Sequence, residues 1–175
     1  MIPFLVMLLT NSGVKKVPFT YHGQQTIAEV QVSSTYPGSK WEAKNMFDDN
    51  HSTRWCSLNE AKGPTAIPDR DPFVIVNFYS IKEVNQIKIV RNTQDHGYRY
   101  ANLCFTLLDD TDNELDKKCT WLTGFHGQPY LNPKTDDVEV NFHNIQNVKK
   151  VKLDFGDPTE RSTGQAHELF IYGLH

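Results

Sequence analysis

The feature that most constrains this chain is the two-residue period of its apolar positions. In "VEVNF" (138–142), Val138, Val140 and Phe142 alternate with Glu139 and Asn141; in "KKVKLDF" (149–155), Val151, Leu153 and Phe155 alternate with Lys150, Lys152 and Asp154. Successive side chains of an extended strand point to opposite faces, so this pattern predicts half-buried β-strands with one face on a core and one in water. "AEVQV" (28–32), "FVIVNF" (73–78), "NQIKIV" (85–90), "LCFTLL" (103–108), "KKCTWL" (117–122) and "ELFIY" (168–172) add six more, separated by clusters of Gly, Pro, Asn and Asp. About eight short strands predict an all-β sandwich or jelly roll. Only "WEAKNMF" (41–47) reads as a short helix, with Trp41, Lys44 and Asn45 on one side and Ala43, Met46 and Phe47 on the other. No repeat, low-complexity tract or linker divides the chain.

A length of 175 residues suits one domain with a sizeable core. The net charge of -3, from 18 basic and 21 acidic residues, argues against a polyanion-binding surface and therefore against nucleic acid as a partner. The apolar start "MIPFLVMLL" is too short to span a bilayer. It reads either as the remnant of a signal peptide, without a basic n-region or an A-x-A site, or as a buried strand over Phe4 to Leu9. Cys56, Cys104 and Cys119 offer no zinc spacing. Cys104 and Cys119 lie at matched distances from "DTDN", the expected tip of a hairpin, so they are either a disulfide across two strands or two buried thiols, with Cys56 left unpaired.

One stretch breaks the strand pattern. "NMFDDNHSTRW" (45–55) packs carboxylates, amides and hydroxyls between Met46-Phe47 and Trp55. Three uses compete: a polar Asx or Ser/Thr turn, an N-glycosylation acceptor at "NHS" (50–52), and an oxygen cage for a hard cation. The D-x-N-x-S start resembles an EF-hand loop, but Thr53 stands where that loop needs glycine and no Glu falls at its twelfth position. No G-x-S-x-G, H-E-x-x-H, P-loop or G-x-G-x-x-G is present, and the S-x-x-K string at Ser12 and Lys15 has no supporting motif, so no enzyme class is indicated.

The segment "NMFDDNHSTRW" resembles the N-A-L-D-G-N-x-S-T-x-W signature of the galactose-binding-like superfamily, which includes discoidin or factor V/VIII C-type domains, fucose lectins and bacterial carbohydrate-binding modules. Further landmarks follow in the order expected of it: "FVIVNFYSIKEVNQIKIVRN", "YANLCFTLLDDTDNEL", "VKKVKLDF" and "HELFIYG". The resemblance implies a jelly-roll β-sandwich of about eight main antiparallel strands over residues 26–175, preceded by an N-terminal segment, 1–25. It also implies a structural Ca²⁺ held by the carbonyl of Asn45, the Asp48 carboxylate, Asn50, Thr53, the carbonyl of His167 and the Glu168 carboxylate. Without it, Glu168 would read as a solvent-facing strand residue. Asp49 departs from the glycine common at its position.

The function implied is non-catalytic glycan binding by loops at one end of the sandwich, on a secreted or cell-surface protein. The candidate ligand residues are Tyr36, Arg91, Asp95, His96, Tyr98, Arg99, Phe125 and His126: arginines for vicinal hydroxyls, aromatics as stacking platforms, histidines and a carboxylate for further hydrogen bonds. Sugar binders of this superfamily often carry histidine after the signature tryptophan, where this chain has Cys56. Binding of a protein partner, or of phospholipid through Tyr36, Trp41, Tyr98 and Phe125 as membrane spikes, stays open. The loops carry few clustered basic residues to attract anionic lipid.

Overall fold

The computed structural model describes residues 15–16, 26–58, 69–79, 83–90, 102–121, 137–156 and 164–174. In chain order the strands are β1 (Lys15–Lys16), β2 (Ile27–Val32), β3 (Trp55–Cys56), β4 (Phe73–Phe78), β5 (Glu83–Val90), β6 (Asn102–Leu108), β7 (Glu114–Trp121), β8 (Val138–Gln146), β9 (Lys150–Asp154), β10 (Gln165–Ala166) and β11 (Glu168–Leu174). They form a five-stranded sheet ordered β2-β4-β9-β6-β7, a four-stranded sheet ordered β1-β11-β5-β8, and a two-stranded ribbon of β10 with β3. Every pairing is antiparallel. The fold is a jelly-roll β-sandwich.

The alternation seen in the sequence sorts side chains between the faces as expected. Val74, Val76 and Phe78 of β4, Leu103, Phe105 and Leu107 of β6, and Val151 and Leu153 of β9 point inward from one sheet. Val84, Ile87 and Ile89 of β5, Val138, Val140 and Phe142 of β8, and Leu169 and Ile171 of β11 meet them from the other, and all belong to one contiguous core. All eight strands read from the sequence are present, several a few residues longer. Three short ones, β1, β3 and β10, have too few residues to show a period.

The expected helix at 41–47 is instead two 3-10 turns, Ser39–Trp41 and Ala43–Phe47. Its expected faces change accordingly. Asn45 is buried, because its amide donates to the carbonyls of Ser39 (3.0 Å) and Arg54 (3.3 Å) and so ties the turn to the chain leading into β3. Cys104 and Cys119 are opposite partners in the β6–β7 register and form a disulfide, while Cys56 is free and buried. The expected strand or signal remnant at Phe4 to Leu9 lies outside the described residues. No helix among the described residues is long and apolar enough to cross a membrane.

Strand direction divides the connections between the two ends of the sandwich. The hairpin Asp109–Asn113 and the short links from β4 to β5 and from β8 to β9 lie at one end. The strand ends that the long connections join, from β2 to β4, β5 to β6, β7 to β8 and β9 to β11, lie at the other.

Candidate functional site

The loop end is organised around Trp55. Its ring is fully buried, tilted against Phe155 with centroids 5.4 Å apart, and its indole N–H donates to the Ser34 carbonyl at 3.0 Å. A buried indole must find an acceptor, so this one bond fixes the end of β2 against β3. Gly164 lies over the ring: a Cβ there would come within 2.9 Å of Trp55 and 2.7 Å of Pro72, so only glycine lets the chain before β10 approach. Ser57 Oγ accepts the Gly164 N–H at 2.9 Å, and the Ser57 N–H donates back to the Gly164 carbonyl at 2.8 Å. Farther along the same loops, Asp69 Oδ2 accepts hydrogen bonds from the Ser33 and Ser34 hydroxyls.

The acidic stretch forms a tight turn beside this cluster. Asp48 Oδ1 accepts the Asn50 N–H at 3.0 Å and Oδ2 accepts the Thr53 hydroxyl at 2.7 Å, while Asn50 Oδ1 accepts the Ser52 N–H at 3.0 Å. The Asn50 carbonyl accepts from both the Thr53 hydroxyl (2.8 Å) and the Thr53 N–H (3.0 Å). Asp49 takes φ 55°, the left-handed conformation that glycine adopts more readily at this position. These are Asx and Ser/Thr turn bonds, and they place a carboxylate oxygen and a hydroxyl side by side.

His167 joins that turn to the head of β11. Its Nδ1 lies 3.0 Å from the His51 carbonyl and its Nε2 lies 3.4 Å from Arg54 Nη1. The neutral tautomer that fits donates from Nδ1 and accepts at Nε2. Burial, and then the Arg54 charge, lower the pKa of the imidazole from 6.5. Arg54 also stacks its guanidinium 4.6 Å from the centroid of Trp41. Glu168, the next residue, is fully buried, unlike the solvent-facing residue that the strand pattern alone would give. A carboxylate in that position requires partners of opposite charge or a cation.

Of the residues expected to hold an ion, Asn45, Asp48, Asn50, Thr53, His167 and Glu168 therefore fall on two segments that the His51–His167 bond ties together. No group of three or more His, Cys, Asp or Glu side chains gathers among the described residues. The available donors are instead two carboxylates, a hydroxyl and carbonyl oxygens, a hard-oxygen set whose chemistry suits Ca²⁺. Of the expected ligand residues, only Tyr36 is described. It is half-buried and packs edge-on against Trp41, centroids 5.8 Å apart. Trp41 is itself half-buried, with the Arg54 guanidinium over its ring. Arg91, Asp95, His96, Tyr98, Arg99, Phe125 and His126 lie outside the described residues. No local sequence signal marks the roles of Ser57 and Asp69, which depend on partners distant in the chain.

No protein-family model matches the chain, and no curated protein does. Solved structures do. A fucose-binding module of Streptococcus pneumoniae aligns at TM-score 0.64 and 15% identity, over 93% of this chain and 97% of the module. The fold relationship is thereby decided. This chain has the galactose-binding-like, discoidin-type fold. The CBM32-5 module of Clostridium perfringens, solved in complex with GalNAc-β-1,3-galactose, aligns at TM-score 0.60 and 14% identity, over 82% of this chain and 93% of the module. Chitosan-binding module 1 of a chitosanase/glucanase from Paenibacillus sp. IK-5 aligns at TM-score 0.56 and 20% identity, over 83% of this chain and 94% of that one. The chain thus shares its architecture with modules whose names state three different sugar ligands.

Proposed function

We propose that this discoidin-type domain is a non-catalytic glycan-binding module whose ligand sits on the long-loop end of the sandwich. The observation that carries the reading is the concentration of polar groups there: Asn45, Ser57, Gln165, His167 and Glu168 are five of the seven buried polar residues among those described. Burying polar groups costs stability unless they are satisfied, so their gathering at one end marks it as built for recognition. The fucose-binding and GalNAc-galactose-bound modules of the same fold support the sugar class. Arg91 and Arg99 grip hydroxyls in this reading, with Tyr98 and Phe125 as platforms.

In the same proposal Ca²⁺ is structural. Asp48, Thr53 and Glu168 supply side-chain oxygens and the loop carbonyls the rest, and the ion ties the 48–53 turn to the head of β11. The cross-strand disulfide favours an extracellular setting, where such bonds persist. Half-burial of Tyr36 and Trp41 leaves phospholipid insertion with less support than sugar.

The test is a glycan array probed with the preclustered domain, with and without a calcium chelator, beside Arg91→Ala. Saturable binding that free sugar competes and Arg91→Ala abolishes is expected. A chelator should lower both binding and thermal stability. A blank array from a folded domain would refute the sugar reading, and a melting temperature indifferent to chelator would refute the ion.

A further inference from the structure

Gln165 is 3% exposed, and its Oε1 has no hydrogen-bond partner among the described residues. Its position explains what could supply one. In the β3–β10 ribbon Ala166 pairs with Trp55 and Gln165 with Cys56. Trp55 and Ala166 belong to the sandwich core, so the alternation of the strands turns Cys56 and Gln165 to the opposite face of the ribbon. Arg54 and His167, which flank this ribbon, are in contact through Nη1 and Nε2. A neutral acceptor and a small thiol thus face each other on a ribbon whose flanking residue carries a guanidinium.

We propose that Gln165 is a specificity-determining residue of the ligand site, its Oε1 accepting a hydrogen bond from a hydroxyl of an uncharged sugar. The inference rests on the glycan reading of the loop end and narrows its ligand class. An acceptor with no donor among the described residues is satisfied when a ligand hydroxyl arrives, which rewards sugars that place a hydroxyl there and penalises those that do not. The Arg54 guanidinium, on the residue two before Cys56 and in contact with His167 and the Trp41 ring, repels an ammonium group at this end, so a cationic glucosamine polymer is disfavoured although the chitosan-binding module shares the fold. Cys56, which is uncharged and weak as a hydrogen-bond donor, does not compete for the same oxygen.

The experiment measures affinity of the full chain and of Gln165→Met, which keeps side-chain volume and removes the amide, for fucose, GalNAc-β-1,3-galactose and chitosan oligosaccharide, with the melting temperature of each protein. Wild type should bind a neutral sugar in preference to chitosan. Gln165→Met should bind it about tenfold more weakly, the worth of one neutral hydrogen bond, with a melting temperature equal to or above wild type because a buried unsatisfied oxygen has gone. Unchanged sugar affinity in Gln165→Met would overturn the inference and leave the glycan reading standing, as a buried water satisfying Oε1 would produce. Weaker binding with a lowered melting temperature would make Gln165 a structural residue, and preference for chitosan would overturn the charge selection. Failure of wild type to bind these three or any arrayed glycan would overturn both the inference and the glycan reading.

Discussion

The two ends of the sandwich solve the same problem, reversing the chain between strands, in opposite ways. At the short-turn end the Asp109–Asn113 hairpin satisfies itself. Asp109 Oδ1 accepts the N–H groups of Thr111 (2.8 Å) and Asn113 (2.9 Å), and the Asp109 N–H donates to the Asn113 carbonyl at 3.1 Å. Asp112 and Asn147 take the positive φ values, 65° and 61°, that tight turns need. The turns also bond to one another, Lys149 N–H donating to the Leu108 carbonyl and Lys150 pairing with Asp112. At the loop end bonds run between segments far apart in the chain, as from Trp55 to Ser34, Gly164 to Ser57 and His167 to His51. Local turns close the fold cheaply, whereas long-range polar contacts position groups for a ligand at the expense of buried polar atoms.

That contrast can be broken most severely at Trp55. Trp55→Ala removes the ring on which Phe155 and Gly164 rest and should cost about 3–5 kcal/mol in denaturant unfolding, with glycan binding lost alongside. Next is the Cys104–Cys119 bond, which closes a 15-residue separation near the loop end of β6 and β7; reduction, or paired serine substitution, should cost about 3 kcal/mol. Asn147→Ala tests the other end: forcing alanine into the left-handed region should cost about 1 kcal/mol and leave glycan affinity unchanged. Loss of affinity there would contradict the division of labour.

The smallest effects separate the ends by pH. His167 is held below 6.5 by burial and by Arg54, so the unfolded chain takes up its proton first. Stability should therefore fall as pH drops below about 6.5, and a urea midpoint that is flat through that range would contradict the burial of the imidazole. Asp109 is lowered from 3.8 to about 2 by its bonds from the Asn113 side chain and backbone. Its contribution is present above 3.8 and lost as pH falls through about 2, which NMR titration of Asp109 beside an Asp109→Asn control would follow.

Much of this was legible in the sequence because the relevant signals are local. The eight main strands followed from a period of two, and the β6–β7 hairpin followed from "DTDN" between matched cysteines. The 48–53 turn was legible as a dense run of oxygens. What stayed hidden depends on distance along the chain. Gln165 pairs with Cys56, 109 positions earlier in the chain, and nothing near "GQAHEL" marks it as a buried acceptor. Glu168 sits at the head of an alternating strand, where pattern alone assigns it to solvent, and its burial accompanies the packing of the Ala43–Phe47 turn against β11. The helix over 41–47 gave way to 3-10 turns because the Asn45 amide bonds draw the segment tightly onto the chain before β3.

The most direct test of a ligand-binding loop end is ¹⁵N-detected titration of the whole domain with the strongest glycan from the array. Saturable shifts should appear at the Trp55 indole N–H, Gly164 and the Gln165 side-chain amide, while Thr111, Asn113 and Asn147 stay still. Shifts confined to the short-turn end or to the outer face of the five-stranded sheet would contradict the account.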